Sequence, residues 1–426
     1  MHADLLHADL LVDRISLLLT MDPATPGARD PVLGAIEDAA VAFVDGAPCW
    51  IGPAGQGPSA DRVVDGQGCV GLPGLVDPHT HAVWAGSRAD EFQRRLAGAT
   101  YTEILEAGGG ILSTVRHTRA ASVDALAALA GARLRGLRAR GLTTVEVKSG
   151  YGLSPEAEEK MLRAAGAVQD GPRVVRTFLG AHAVPAELRG RRDAYVRQVI
   201  EEQLPRCAPL CEAIDVYCDR GAFDLDEAVA VLSAGRALGL KVRAHAEQVA
   251  WTGIAAAAAA LGATCVDHLE RLDDAGVAAM AAHGTVAVLL PGAQLYLRDT
   301  APPVAALREA GVALALGTDL NPGSSPLHDP WTNATLGCLL QGLTVDEVLL
   351  GMTRAAGRAL GRPELGHLGA GAVGDLVLVR PPAGEPPTAG ALVQHMGGAQ
   401  VLAVVQAGRL VAGRLWAGHP APLAIC

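Results

Sequence analysis

Four positions along the sequence have the residue types that a bound metal needs. His79-Thr80-His81 closes an apolar run that begins Gly71-Leu72-Pro73-Gly74-Leu75-Val76-Asp77. Side chains two apart on a strand share a side, so His79 and His81 are expected to aim two imidazoles at one point. Imidazole suits Zn, Fe, Cu and Ni. His245 ends the run Lys241-Val242-Arg243-Ala244-His245, and Asp319 ends Ala313-Leu314-Ala315-Leu316-Gly317-Thr318-Asp319. Taken singly, each has an ordinary explanation: a polar residue at a strand end, or an Asp that caps a turn. Taken together they make a three-nitrogen, one-oxygen site with room for a water. Open sites of this kind lower the pKa of water to about 7. His268, which ends Cys265-Val266-Asp267-His268, is expected beside that water as a supporting or acid/base group.

The elements that must position these residues can be read from the alternation of short apolar runs with helix-like stretches. Strands are predicted at Leu72–Asp77, Thr143–Lys148, Val174–Gly180, Ala213–Cys218, Val242–Ala246, Thr264–Asp267, Thr285–Leu290 and Val312–Gly317. Helices are predicted between them at Val123–Arg140, Pro155–Val168, Ala194–Cys207, Leu225–Leu238, Gly253–Leu261 and Pro303–Ala310. This alternation implies right-handed βαβ units and a parallel sheet, and about eight units make a TIM (β/α)8-type barrel of the α/β class. The polar residues His79, His81, Lys148, His182, Asp219, His245, His268 and Asp319 fall at or just past the strand C-termini, the end where barrels build active sites. Residues before about Leu72 and after about Gly371 read differently, as short strands broken by Gly and Pro. They are expected to be the two parts of one small β-sandwich domain, 1–71 and 371–426, with the barrel, 72–370, inserted between them.

Composition narrows the function classes. The net charge of −10 disfavours a nucleic-acid or anionic-membrane surface. Hydrophobic residues make up 50% and aromatics only 3%, so the core must be aliphatic and rich in alanine. The only lysines are Lys148, Lys160 and Lys241. The eight cysteines are scattered and form no CxxC pair, so a disulfide framework is not expected. The N-terminal stretch carries Asp4, Asp9, Asp13 and Arg14 among its apolar residues, unlike a signal peptide. The longest apolar run, Ile254 to Val266, is too short to span a bilayer. The expected compartment is the cytoplasm, and the expected partner is a small-molecule substrate.

The arrangement resembles the amidohydrolase superfamily, metal-dependent hydrolases built on a barrel with a flanking β-domain. Within it the blocks Ala85-Gly86-Ser87-Arg88-Ala89-Asp90-Glu91-Phe92, Lys148-Ser149-Gly150-Tyr151-Gly152-Leu153, Gly180-Ala181-His182-Ala183-Val184-Pro185, His245-Ala246-Glu247-Gln248 and Thr318-Asp319-Leu320-Asn321-Pro322-Gly323-Ser324 are similar to those of the imidazolonepropionase family. The resemblance implies hydrolysis of 4-imidazolone-5-propanoate to N-formimidoyl-L-glutamate in histidine catabolism. It implies one Zn or Fe ion per subunit on His79, His81, His245 and Asp319, and a homodimer. It further implies that Arg88 pairs with the substrate propionate, because a planar guanidinium matches a carboxylate. Tyr151, His182 and Gln248 are expected to contact the ring or its carboxylate, and Asn321, Gly323 and Ser324 the opened product. Some relatives carry Glu at the Gln248 position. Gln takes no proton at neutral pH, so the proton role is expected to fall to Asp319, with His268 on the attacked carbonyl. Lys148 follows the second strand, whereas the carboxylated lysine of dinuclear relatives lies on the fourth, so one metal is expected and Lys148 has a structural or orienting role. The alternative is a purine- or pyrimidine-type deaminase of the same superfamily.

Overall fold

The computed structural model describes residues 6–99, 103 and 108–413. Eight parallel strands follow one another in chain order: Leu75–Asp77, Leu142–Lys148, Arg173–Ala181, Ala213–Cys218, Lys241–Ala246, Cys265–His268, Val286–Leu289 and Leu314–Leu316. The ring is drawn shut at the first and eighth strand ends, where His81 N donates to Leu320 O (2.9 Å) and Asp319 N to His79 O (3.0 Å). Gly317 permits that approach, since a Cβ there would lie 2.9 Å from His79 Cβ. Helices cover the outside, among them Val123–Arg138, Pro155–Gly166 and Leu225–Ala237. Strands covered on both faces need no polar alternation, and all seven positions of Leu142–Lys148 are buried. The helix starts follow capping chemistry: Asp224 and Glu227 form a capping box at Leu225–Ala237, as Thr344 and Glu347 do at Val345–Gly351.

The chain divides into two compact units. One comprises Val76–Leu137 and Thr144–Pro363; the other comprises Met1–Leu75, Arg138–Thr143 and Glu364–Cys426. The sequence-based limits fell at 71 and 370, several residues away from each of these. In the second unit a single large sheet runs in the order Arg409–Gly413, Gln400–Gln406, Leu376–Arg380, Val70–Pro73, Leu10–Leu19, Ala35–Val44 and Ala47–Pro53. Two short strands, His7–Ala8 and Ser59–Ala60, pair parallel with each other and pack Ala8 and Ala60 against Leu11, Ala40 and Ala42 of that sheet.

Two differences from the sequence reading have physical causes. The predicted strand Leu72–Asp77 is two strands. Val70–Pro73 pairs antiparallel with Leu376–Arg380, and Leu75–Asp77 opens the barrel. Pro73 has no N–H to continue a ladder, and the Gly74 N–H turns to Asp375 O (3.0 Å). The strand Leu10–Leu19, ten residues long, exceeds the short strands expected before Leu72. A register shift between Val12 and Ile15, with Arg14 at φ 55°, breaks its period-two pattern.

Candidate active site

The first strand hands the chain to Pro78 and then to His79, Thr80 and His81, all buried. His79 Nδ1 is 2.7 Å from Asp267 Oδ2, and His245 Nδ1 is 3.1 Å from Asp215 Oδ1. A carboxylate at Nδ1 keeps the proton there and leaves Nε2 as a bare lone pair. These lone pairs converge. His245 Nε2 lies 3.4 Å from His81 Nε2, and Asp319 Oδ1 lies 3.4 Å from His79 Nε2 and 3.5 Å from His81 Nε2. The ligand atoms of His79, His81 and His245 all fall within 4.8 Å of one another. Acceptors facing acceptors in a buried site call for a cation between them. Tetrahedral coordination at about 2.1 Å places neighbouring ligand atoms about 3.4 Å apart, so the donor set fits one divalent ion. Burial holds His79 and His81 well below the usual imidazole range, which keeps them neutral as ligands must be.

The sixth strand ends at His268, whose backbone is left-handed (φ 77°), as is that of Asp319 (φ 52°). Left-handed non-glycine residues cost about 1–3 kcal/mol and cluster at functional sites. The His268 ring sits 5.6 Å from that of His79 and 5.4 Å from that of His245. Burial works against its charge, but Glu270, 3.9 Å from Nδ1, and Asp319 outweigh it and raise its pKa.

The second and third strands bring Tyr151 and His182 to the same place. The His182 ring stacks on that of His81 at 5.1 Å, and Tyr151 lies 5.4 Å from His182. His182 Nδ1 donates to Gly150 O (2.9 Å), so its Nε2 is an acceptor. Burial and the neighbouring His245 pull its pKa down to about 3. Gly150 is held at φ 106°, and a Cβ there would meet His182 Nδ1 at 2.9 Å. Burial raises the Tyr151 phenol; next in weight come the charge of Asp319, which raises it further, and that of Arg88, which lowers it. The Tyr151 ring lies 5.7 Å from that of His81.

Arg88 precedes the helix Ala89–Leu96, with Nε 2.7 Å from Glu91 Oε2. It packs against Gly323, where a Cβ would come within 2.7 Å of Arg88 Nη1. Asn321 and Ser324 form the wall of the same loop. Asn321 Oδ1 accepts from Gly323 N and Ser324 N (both 2.8 Å), while its Nδ2 donates to Asp319 O (2.7 Å). The Asn321 amide is therefore spent on shaping this loop. Gln248 follows the fifth strand, and its Oε1 accepts from Tyr217 Oη (3.1 Å). Glu247 caps the backbone around Ala255, and Asp219 accepts from Val249 N and Ala250 N; neither is among the converging groups. Sequence reasoning assigned no role to Asp215, Asp267 or Glu146, all fully buried. The available signal was a charged residue inside an otherwise apolar parallel strand.

Comparison with known proteins places this geometry in context. Residues 70–411 match the amidohydrolase family. An imidazolonepropionase of Caulobacter vibrioides (strain NA1000 / CB15N) is 49% identical over 374 residues, covering 86% of this chain and 93% of that protein. One of Stenotrophomonas maltophilia (strain R551-3) is 48% identical over 381 residues, covering 88% and 91%. Among solved structures, a triazine hydrolase variant superposes with a TM-score of 0.74 at 19% identity, covering 95% of this chain and 94% of that one. A zinc-bound adenosine deaminase from Xanthomonas campestris superposes at 0.70 and 20%, covering 95% and 93%. At such identities these two likenesses speak to fold alone.

Proposed function

The chain belongs to the amidohydrolase family, and within it to the imidazolonepropionases; from that premise we propose how its residues open the ring of 4-imidazolone-5-propanoate. The chain is a hydrolase of histidine degradation, acting on a cyclic amide. The observation that carries the site reading is the convergence of His79, His81, His245 and Asp319 on one point. A divalent ion held there, zinc or iron, supplies Lewis acidity and lowers the pKa of a water. Asp319, facing that point, takes the proton of the attacking water and returns it to the leaving ring nitrogen. His268, pushed toward its cation by Glu270 and Asp319, donates to the carbonyl oxygen as charge builds on it. His182, fixed as an Nε2 acceptor, receives a ring N–H, and Tyr151 and Gln248 border the ring. Arg88 pairs with the propionate, Gly323 leaving room for its guanidinium. Gly323 and Ser324 border the opened product, held in place by Asn321.

A deaminase needs no carboxylate clamp, so Arg88 favours the cyclic-amide reading. Purified protein assayed with imidazolone propionate against cytosine and guanine tests it. Turnover of the first alone is expected, and release of ammonia from either base overturns the reading. Elemental analysis should give about one Zn or Fe per subunit; a reproducible value of two overturns the mononuclear site.

The reading extends to a cytoplasmic homodimer. Among the described residues no helix is long and apolar enough to cross a membrane, and the seven described cysteines are free thiols. Leu295 and Leu339, 51% and 70% exposed, lie on the helices Pro291–Leu297 and Pro330–Gln341, which pack together, and each would bury apolar area on pairing. Sedimentation equilibrium at twice the chain mass is the expected result; a monomer at working concentration overturns it.

A further inference from the structure

Behind the converging histidines lies a buried charge cluster that the reaction does not use. Lys148 Nζ donates to Asp215 Oδ2 (2.7 Å) and Glu146 Oε1 (2.9 Å), and lies 3.5 Å from Asp267 Oδ2. All four side chains are fully buried. The same carboxylates reach forward to the site. Asp215 Oδ1 holds His245 Nδ1, and Asp267 Oδ2 holds His79 Nδ1. Glu146 Oε2 accepts from Thr80 N (3.2 Å), the backbone between His79 and His81. Arg243 Nη1 adds a second positive group at Glu146 Oε1 (2.9 Å). Atoms of Asp215, His245 and Asp267 also fall within 4.8 Å of one another, which is itself a cation-holding geometry. The Lys148 ammonium is the cation already in it. Without that charge two desolvated carboxylates would face each other and repel, and each would be free to turn away from its histidine. His81 has no such support, because its buried Nδ1 has no hydrogen-bond partner among the described residues.

We propose that Lys148 is a positioning residue whose ammonium locks Asp215 and Asp267 together, fixing the rings of His245 and His79 as one unit. The inference rests on the ligand set proposed above and deepens it: two of the three histidines are preset by a single buried charge.

The test is Zn2+ affinity of the full chain, measured by competition with a chelator, together with the visible spectrum of the Co2+-loaded protein. Lys148→Met should weaken binding by about 10–100-fold, the size usual for outer partners of ligands, and should alter the Co2+ spectrum. In the Lys148→Met background, Asp215→Asn and Asp267→Asn should add little further loss. Unchanged affinity and spectrum in Lys148→Met, or losses that simply multiply, overturn the proposal. Where Lys148→Met does not fold, the near-isosteric Asp215→Asn, Asp267→Asn and the double variant carry the test. Linked through one ammonium, the double variant should depart from the product of the single losses by more than threefold; agreement within threefold overturns the link. His81→Ala separates the two ideas. Full Zn2+ affinity there means the ligand set is wrong and the inference falls with it, whereas lost affinity there with an unaffected Lys148→Met sinks the inference alone.

Discussion

The mouth of the barrel has two unlike halves. The ends of the first, fifth, sixth and eighth strands carry His79, His81, His245, His268 and Asp319, and there Glu270 and Asp319 push His268 toward its cation. The ends of the second and third strands carry Tyr151 and His182, where burial holds a phenol and an imidazole neutral. One half gathers the groups proposed to hold the metal and move the proton, the other the groups proposed to border the ring. Two histidines whose rings lie near that of His245 thus acquire opposite properties: Glu270 and Asp319 raise the pKa of His268, whereas burial and His245 lower that of His182 despite its bond to the Gly150 carbonyl.

Substitutions should sort by half. The largest effect is expected from Asp319→Asn, which removes a ligand atom and the proton carrier together; turnover should vanish and bound metal should fall. An active, metal-loaded Asp319→Asn protein would break the division at its centre. His268→Asn should keep its metal and lose about 10²-fold or more in kcat, the effect of removing a donor to a developing oxyanion. If KM moved instead of kcat, His268 would belong with the neutral half. Arg88→Met should lower kcat/KM by about 2–3 kcal/mol, because the substrate carboxylate is left unpaired, with metal content unchanged. Wild-type efficiency in that variant would place the carboxylate elsewhere. Gln248→Glu should be mild if Gln248 only hydrogen-bonds. A strong rise in turnover with a shifted acid limb of the pH–rate profile would move the base from Asp319 to that position.

The smallest effect concerns pH and stability. The folded-state pKa of His182 is about 3, below its ordinary value of 6.5. Between these two values the unfolded chain binds the extra proton, so stability contributed by the neutral ring is complete above about pH 6.5 and is lost as pH falls. Denaturation midpoints of His182→Gln should therefore fall less steeply between pH 7 and pH 5 than those of the unsubstituted chain. Equal slopes would mean that His182 titrates normally.

The sequence revealed those residues whose position in the pattern was itself unusual. Histidines and an aspartate that each end an apolar run mark strand ends, so His79, His81, His245, His268 and Asp319 could be picked out and all eight barrel strands placed to within a few residues. Asp215 and Glu146 left a fainter trace. A carboxylate inside a strand usually means an exposed face, and only the closed barrel turns that face inward. Glu146 and Lys148, two apart and opposite in charge, pointed to a shared face, but their partners Asp215, Arg243 and Asp267 come from three other strands and are joined only by the fold. The inward turn of Asn321 was equally hidden, because its partners Gly323 and Ser324 would look the same in a loop that bound ligand directly.

The pairing of Val70–Pro73 with Leu376–Arg380 also sets an order of events when the chain is made. A ribosome delivers Val70 long before Val379, the residue it lies against. Throughout that interval the barrel can assemble as its strands emerge, each beside the one before, while the early strands of the other sheet have no neighbour on one edge. An unpaired strand edge is a template for pairing with other chains, and contacts so distant in sequence form slowly. The period of greatest exposure for a newly made molecule is therefore the wait for its last strands, and a chain interrupted before Leu376 would keep an intact set of barrel strands beside a sheet edge open to aggregation.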